Sequence, residues 1–451
     1  MYKSTARISL QRQLATGALL SKNCKSASDG TTLPPWLSPC PPTPGQTLPV
    51  RNPHLPLAGT IAFGFVMTFS SGFGQTFFIS LFNADIRTEF GLSHGEIGSL
   101  YSLATLLSAV TVIWSGKLLD TVDLRKYSLV VTLGLTVACL SISQATGPLT
   151  LAFSFYLLRL FGQGLSGHTG ITTASRAPPA YRGRAISCAG LGFSTAEALL
   201  PLLIVIMVGL YGWRQVWQYA ALAELLMIAC IVQWLVWKFA LAVKPSGPEH
   251  NTDDNSSWTL KHVYRDYRFW LIAPAIFSPS IVSTALFFHQ QSLAEYKEIE
   301  FRVWASAIAA YSLAAVVASL VAGFAVDRWS GAKVVRFYLV PFCVAVLICA
   351  YSQWSILPVI YYALTGITIG VATPSVSALW LELYGSQHIA AIRSLAHALM
   401  VFGSALGPVI FGVLLDSGIN WQQLLTGSAI WMIATSLLLI KVDLRWRSAT
   451  A

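Results

Sequence analysis

The chain has 451 residues, 55% of them apolar and 11% charged, with a mean hydropathy of +0.61 and a formal net charge of +10. That balance excludes a water-soluble domain, which needs far more polar surface, and predicts a protein solvated by lipid. The basic residues are scattered through short loops, which excludes a concentrated nucleic-acid-binding face.

Residues 1–56 hold Pro34, Pro35, Pro41, Pro42 and Pro44 among many Ser and Thr, a composition that reads as a disordered N-terminal tail. Its first 28 residues contain Lys3, Arg7, Arg12, Lys22 and Lys25 and no acid, so a targeting segment, a plain tail and a start-site artefact all fit. From there on, charge-poor stretches of about 20 residues, the length that crosses a hydrocarbon core, fall at 57–82, 97–116, 127–146, 150–173, 185–209 and 215–237. A second set falls at 269–291, 303–325, 334–353, 355–380, 389–415 and 421–440. Between the sets, residues 242–268 combine Pro245, Gly247 and Pro248 with acids and bases and read as a polar linker. The expected organisation is a six-helix bundle at 57–241, the linker, a second six-helix bundle at 269–443 and a tail at 444–451.

Lysine and arginine are retained on the cytoplasmic side of membranes. With both termini cytoplasmic, only Arg87, Arg214, Lys297 and Arg302 of the 29 basic residues fall on the opposite side, and Arg159 lies within a span. One missed helix would invert every later loop and destroy this asymmetry. It therefore supports twelve spans in a multi-pass membrane protein, with the plasma (bacterial inner) membrane as the expected location.

The spans were written twice. Gly116 and Asp120 end the second span, and Gly323 and Asp327 end the eighth, 207 positions later; Pro201 and Pro408 share that spacing, and Trp213 and Trp421 follow at 208. Duplicated helical bundles are a common construction of transporters. A glycine one turn before an acid at a helix end lets a neighbouring helix approach, while the carboxylate meets basic loop residues. Candidate partners are Arg125 and Lys126 in the first copy and Arg328 and Lys333 in the second. Such a contact closes one face of a transporter, with loop solvation as the plain alternative. Asp327 is the expected closing residue, because the first copy has Thr121 where a base would follow the acid.

On this motif the chain resembles the major facilitator superfamily, whose loop pattern is matched by Gly323, Asp327, Arg328, Gly331 and Lys333. Arg159, Gln163 and Gly164 in the fourth span resemble another family signature, and Gly403 to Gly412 around Pro408 resemble its glycine-proline motif. The resemblance covers residues 57–443. It implies an all-α integral membrane protein with twelve transmembrane helices as two six-helix pseudo-repeats, the major facilitator fold. It also implies a secondary transporter that works by alternating access. Gly212-Trp213-Arg214 and the histidine-bearing seventh span look like the monocarboxylate and oxalate:formate branch. That branch often holds a carboxylate with a base in its eighth helix; residues 303–326 contain none, so Arg159 would have to substitute.

Ionisable residues within apolar spans default to a partner or a wet cavity. Arg159 lies about 14 Å and Glu197 about 18 Å inward from the outer helix ends at 1.5 Å per residue, so they are expected to meet, either as a static bridge or as a site switched by anion or proton. Gln163 shares a face with Arg159. Glu224 pairs within the first bundle or faces a wet crevice. His289, at the end of the seventh span, either binds cargo and titrates near neutral pH or is solvated; His168 and His397 are weaker candidates. Gln75, Ser278, Ser280, Tyr361, Tyr362 and Thr365 complete the candidates on spans 1, 7 and 10, which in the family line the central pathway with span 4.

The seven cysteines show no metal-ligand spacing, and no P-loop, HExxH or GxSxG element occurs. No cofactor, no metal and no enzymatic activity is expected. The partners are the lipid bilayer, a small-molecule substrate and protons as coupling ion, and no nucleic acid. The functional expectation is secondary transport of a small solute, an organic anion such as a monocarboxylate, with proton coupling. The alternative is a transporter-shaped receptor that binds a ligand without flux.

Overall fold

The computed structural model describes residues 56–178, 181–241, 260–385 and 389–442. The N-terminal tail, most of the linker and the C-terminal tail lie outside the described residues, as do the expectations about them. Eleven helices are long and apolar enough to cross a membrane: α1 Leu57–Gly74, α2 His94–Leu119, α3 Leu124–Ser143, α5 Arg182–Tyr211, α6 Trp213–Lys238, α7 Tyr267–Phe288, α8 Phe301–Trp329, α9 Gly331–Tyr351, α10 Leu357–Tyr384, α11 (its apolar part Leu395–Asp416) and α12 Trp421–Lys441. The twelfth, α4, runs from Pro148–Leu157 through a π segment Leu158–Ser166 into Gly167–Ser175, and Arg159, Gln163 and His168 make it the most polar span. Each helix matches an expected stretch with ends shifted by a few residues, α1 excepted.

Local chemistry explains the starts. Ser93 and Glu96 form a capping box on α2, Asn420 and Gln423 another on α12, and the Asp123 and Asp266 side chains cap α3 and α7. Trp213 and Trp421, the 208-spaced pair, are the first residues of α6 and α12. The Trp213 Nε1 donates to Glu89 and the Trp421 Nε1 to Ser292, so each bundle pins its last helix to the segment after its first. Arg214 reinforces the first pin through Glu89 and the carbonyls of Ser143 and Ala145, and its hydrogen bonds hold the Glu89 carboxyl below the usual carboxylate range.

Burial follows a membrane logic. Leu103, Leu107, Val110 and Trp114 on α2 are exposed, as are Leu313, Val317, Leu320 and Phe324 on α8, and these faces are covered by lipid tails. Small residues permit close packing inside. A Cβ at Gly366 or Gly370 of α10 would overlap the carbonyls of Tyr311 or Ala315 of α8. In each bundle the same helices pair, α1 with α5 and α7 with α11, α2 with α4 and α8 with α10. The bundles meet through α2 with α11 and α5 with α8.

A helix at Leu260–Arg265 precedes α7, and the buried Arg268–Asp266 ion pair, at 2.9 Å, secures the turn into that helix.

Candidate functional site

The site begins with a break in α1. Its last turn, Ser71–Gly74, is a 3-10 helix, Gln75 is extended (φ −87°, ψ 156°), and the chain resumes in short helices at Thr76–Ile79 and Asn83–Phe90. Backbone groups freed at such a break inside a bilayer need partners. Arg159 supplies one: it is 1% exposed, and its Nη1 donates to the Gly74 carbonyl at 3.2 Å. The guanidinium lies 5.2 Å from the centre of the Tyr101 ring, whose hydroxyl is 2.7 Å from Thr76 Oγ1 across the break. The helices touch because both sides lack a side chain: a Cβ on Gly74 would strike the Gln163 nitrogen and Gly162, and one on Gly162 would strike Gly74. The structure thus brings Arg159, Gln163 and Gln75 together, with both glutamines half-buried and the Arg159 Nε without a partner in the protein.

The expected ion pair between Arg159 and Glu197 does not form. Glu197 is buried and accepts a 2.9 Å hydrogen bond from the Ser312 hydroxyl of α8, across the boundary between the bundles. Counting residues along two helices fixes their heights in the membrane and says nothing about which way each side chain points. Arg159 turns to α1 and α2, and Glu197 to the second bundle.

Glu224 is fully buried and takes the first-bundle reading. Its Oε1 accepts from Ser70 Oγ at 2.8 Å, while Oε2 has no partner. It opens a second π segment, Glu224–Ala229, as Arg159 sits in the first. Two irregular helices therefore hold α1 on either side of its 3-10 turn, through Ser70 and Gly74. Single-turn π insertions are frequent at functional positions.

Both ends of a twelve-helix chain lie on one side of the membrane, here called the proximal side. The distal side is closed by hydrogen bonds between the bundles. Asp416 of α11 accepts from the His94 and Gly95 backbone nitrogens at 3.1 and 2.7 Å, capping the start of α2 from the opposite bundle. Asn83 Nδ2 donates to the Phe288 carbonyl at 2.7 Å, and Gln290 Nε2 to Ser80 Oγ at 2.8 Å. Gln290 also accepts from the Tyr362 hydroxyl, which accepts from Trp304 Nε1. His289 is neither solvated nor turned to a central cavity. It is 1% exposed and donates through Nε2 to the Pro408 carbonyl at 2.9 Å. Tyr362 and His289 are parts of this closure, and Tyr361 packs on Trp304 and Tyr362.

The duplicated loops lie at the proximal ends and differ from expectation. A Cβ on Gly323 meets nothing within 4 Å, and one on Gly116 only ordinary contact with His168 at 3.6 Å, so neither glycine makes a close helix approach in this conformation. Asp327, Arg328 and Arg125 are exposed, and the side chain of Asp120 lies outside the described residues. The carboxylate that binds at the second loop is Glu382 of α10, which accepts from the Gly331 and Ala332 nitrogens at 2.7 and 3.0 Å. At the first loop, Arg176, the residue that follows α4, donates to the Leu119 carbonyl at 3.2 Å. Ser278 and Thr365 spend their hydroxyls on the carbonyls of Pro274 and Tyr361 in their own helices. Ser312, Asp416, Asn83, Gln290 and Glu382 are the residues that sequence reasoning missed. Each is a lone polar residue in an apolar stretch or at a helix end, without a motif to mark it.

A family model described as Major Facilitator Superfamily matches residues 64–305 and 291–450. The chain belongs to the Major Facilitator Superfamily. Its fold is that of solved members at low identity. A bacterial homologue of the human lysosomal transporter Spinster, in an inward-facing and unoccupied conformation, aligns at 13% identity with a TM-score of 0.63, covering 87% of this chain and 99% of that one. The nucleoside transporter NupG aligns at 14% identity with a TM-score of 0.66, covering 86% of this chain and 99% of that one. Comparison with curated proteins gave no significant match. The chain is a multi-pass integral membrane protein with the architecture of a secondary transporter, embedded in a lipid bilayer.

Proposed function

We propose that this superfamily member moves a small organic anion, such as a monocarboxylate, together with protons by alternating access. The carrying observation is the distal closure between the bundles. Four hydrogen bonds cross from one bundle to the other at the distal end, and Ser312 to Glu197 crosses below them. A bundle pair whose described residues are fastened at the distal end, with the Glu197 carboxylate bound to Ser312 lower down, is arranged to rock about that level. The distribution of basic residues supports cytoplasmic termini in a plasma membrane, which makes the distal closure an outer gate.

Arg159 supports the anion. Its Nη1 and ring contact hold it in place, and its unpartnered Nε leaves a donor for a carboxylate arriving beside Gln75 and Gln163. Glu197 supports the proton. Its bond to Ser312 joins the bundles, so gain or loss of its charge acts directly on the contact between them. The exposed Asp327 and Arg328, with the Gly116 loop, are then the surfaces that meet when the proximal end closes.

The test is uptake of labelled monocarboxylates into proteoliposomes. Wild-type protein is expected to accumulate substrate when the outside is acid, and Glu197→Gln to equilibrate it without responding to the pH gradient. Gradient-driven accumulation by Glu197→Gln would overturn the proton role, and absence of any flux with wild-type protein would overturn transport of this cargo.

A further inference from the structure

The distal closure contains a polar cluster that substrate movement does not use. Asn83 Oδ1, His94 Nδ1, His289 Nδ1 and Gln291 Oε1 are buried and have no hydrogen-bond partner in the protein. All four residues line one void of about 10 Å³, together with Arg87 and Glu295. A void of about that size holds one water, provided that two to four polar groups bind it. The two imidazoles come from opposite bundles, and their ring centres are 5.4 Å apart. Among the described residues no group of three or more His, Cys, Asp or Glu is arranged to hold a metal ion.

The protons can be followed. His289 donates through Nε2 to Pro408, so a neutral ring leaves Nδ1 as a bare acceptor. Asn83 spends its Nδ2 on Phe288, which leaves Oδ1 as an acceptor too. A water can donate to two such acceptors and accept from His94. A charged imidazole fits less well. Arg87 and Glu295 offset each other in the wall, and Asp416 is engaged by the start of α2. A further cation would be buried without a free counter-charge.

We propose that this void is a proton-binding site of the outer gate: the gate is shut around one water and two neutral imidazoles, and it opens when the histidine pair takes up a proton. This rests on reading the distal closure as a gate. The sign follows from linkage. In the open gate both rings meet water and titrate near the ordinary histidine value of about 6.5, so the open form binds more protons than the closed one. Closure is fully favoured above that pH and is lost as the pH falls below it.

The test is the distance between spin labels carried by noncanonical amino acids at Thr146 and Ser355, exposed positions in distal loops of the two bundles, in full-length protein in lipid nanodiscs. From pH 8 to pH 5 the population is expected to move from a short to a long separation. His94→Gln, which keeps the His289 bond to Pro408, is expected to remove at least half of that shift, and His94→Gln with His289→Gln all of it. A separation that does not change with pH in the wild type, or an undiminished shift in His94→Gln, would overturn the proposal. The readout needs no cargo. A gate that responds to pH in protein that moves no labelled monocarboxylate would overturn transport of that cargo and leave this proposal standing.

Discussion

The two bundles descend from one pattern yet divide the work unequally. In the first, α1 is broken, α4 and α6 contain π segments, and Arg159, Glu197 and Glu224 are buried. At the 207-residue spacing, Arg159 corresponds to Gly366 and Glu197 to Ser404; at the 208-residue spacing set by the tryptophans, Glu224 corresponds to Met432. None of the three counterparts is ionisable, and Gly366 serves to bring α10 onto the Tyr311 carbonyl of α8. A duplicated fold fixes where helices stand, and each bundle then diverges in what its inner faces carry. Here the first bundle holds buried ionisable residues at these three mid-span positions, and the second has packing residues there and supplies Ser312 and Asp416, which fasten it to the first.

The largest effect is expected where the first bundle has chemistry and the second has packing. Arg159→Ala leaves the Gly74 carbonyl unpaired in a broken helix and removes the proposed donor for cargo. A truncated buried charge partner costs about 2–5 kcal/mol, so uptake is expected to fall on the order of 100-fold or more. Arg159→Lys should recover only part of it, because a point charge cannot bond Gly74 and present a second fixed donor together. Uptake within a few-fold of wild type for Arg159→Ala would erase the division of labour.

Much of this architecture was legible in the sequence. Hydrophobic length and the sidedness of basic residues count spans directly, and the repeated Trp213 and Trp421 mark the same helix start in both bundles. The break in α1 was not legible, since Gly72, Gly74 and Gln75 sit in an apolar run that reads as one long helix. Partners were the weakest part. Arg159 and Glu197 were recognisable as costly residues at similar depth, but side-chain direction depends on helix rotation, which the π segment of α4 itself alters. The chemistry of His289 is legible in the sequence, but its burial is not, because it depends on α2 and α11 packing over the helix end that carries it.

A smaller effect is expected on the packing side of the comparison. Gly366→Ala would place a Cβ onto the Tyr311 carbonyl, and overpacking of this kind costs about 1–3 kcal/mol. It should lower the melting temperature of the detergent-solubilised protein and leave the pH-gradient dependence of the remaining uptake intact. If that dependence were lost while stability held, the second bundle would carry coupling chemistry, contrary to the comparison.

The smallest expected effect concerns the duplicated loops at the proximal ends of α2 and α8. A Cβ at Gly323 meets open space inside α8, so Gly323→Ala should cost no stability and gain about 0.5 kcal/mol as the better helix former. Gly331, in the same motif, packs on Ala378 and the Leu379 nitrogen, and its own nitrogen is bound by Glu382. Glu382→Gln keeps the shape but gives up a charge at the start of α9, where helix N-termini favour anions by about 0.3–1 kcal/mol. The order of melting temperatures is therefore expected to be Gly323→Ala level with or just above wild type, then Glu382→Gln, then Gly331→Ala. Transport can still separate the first two. If Gly323→Ala melts like wild type yet slows uptake, Gly323 matters in the proximally closed form, where the exposed Asp327 and Arg328 would find their partners. If it does neither, the repeated glycine marks ancestry, and the work at this loop belongs to Glu382.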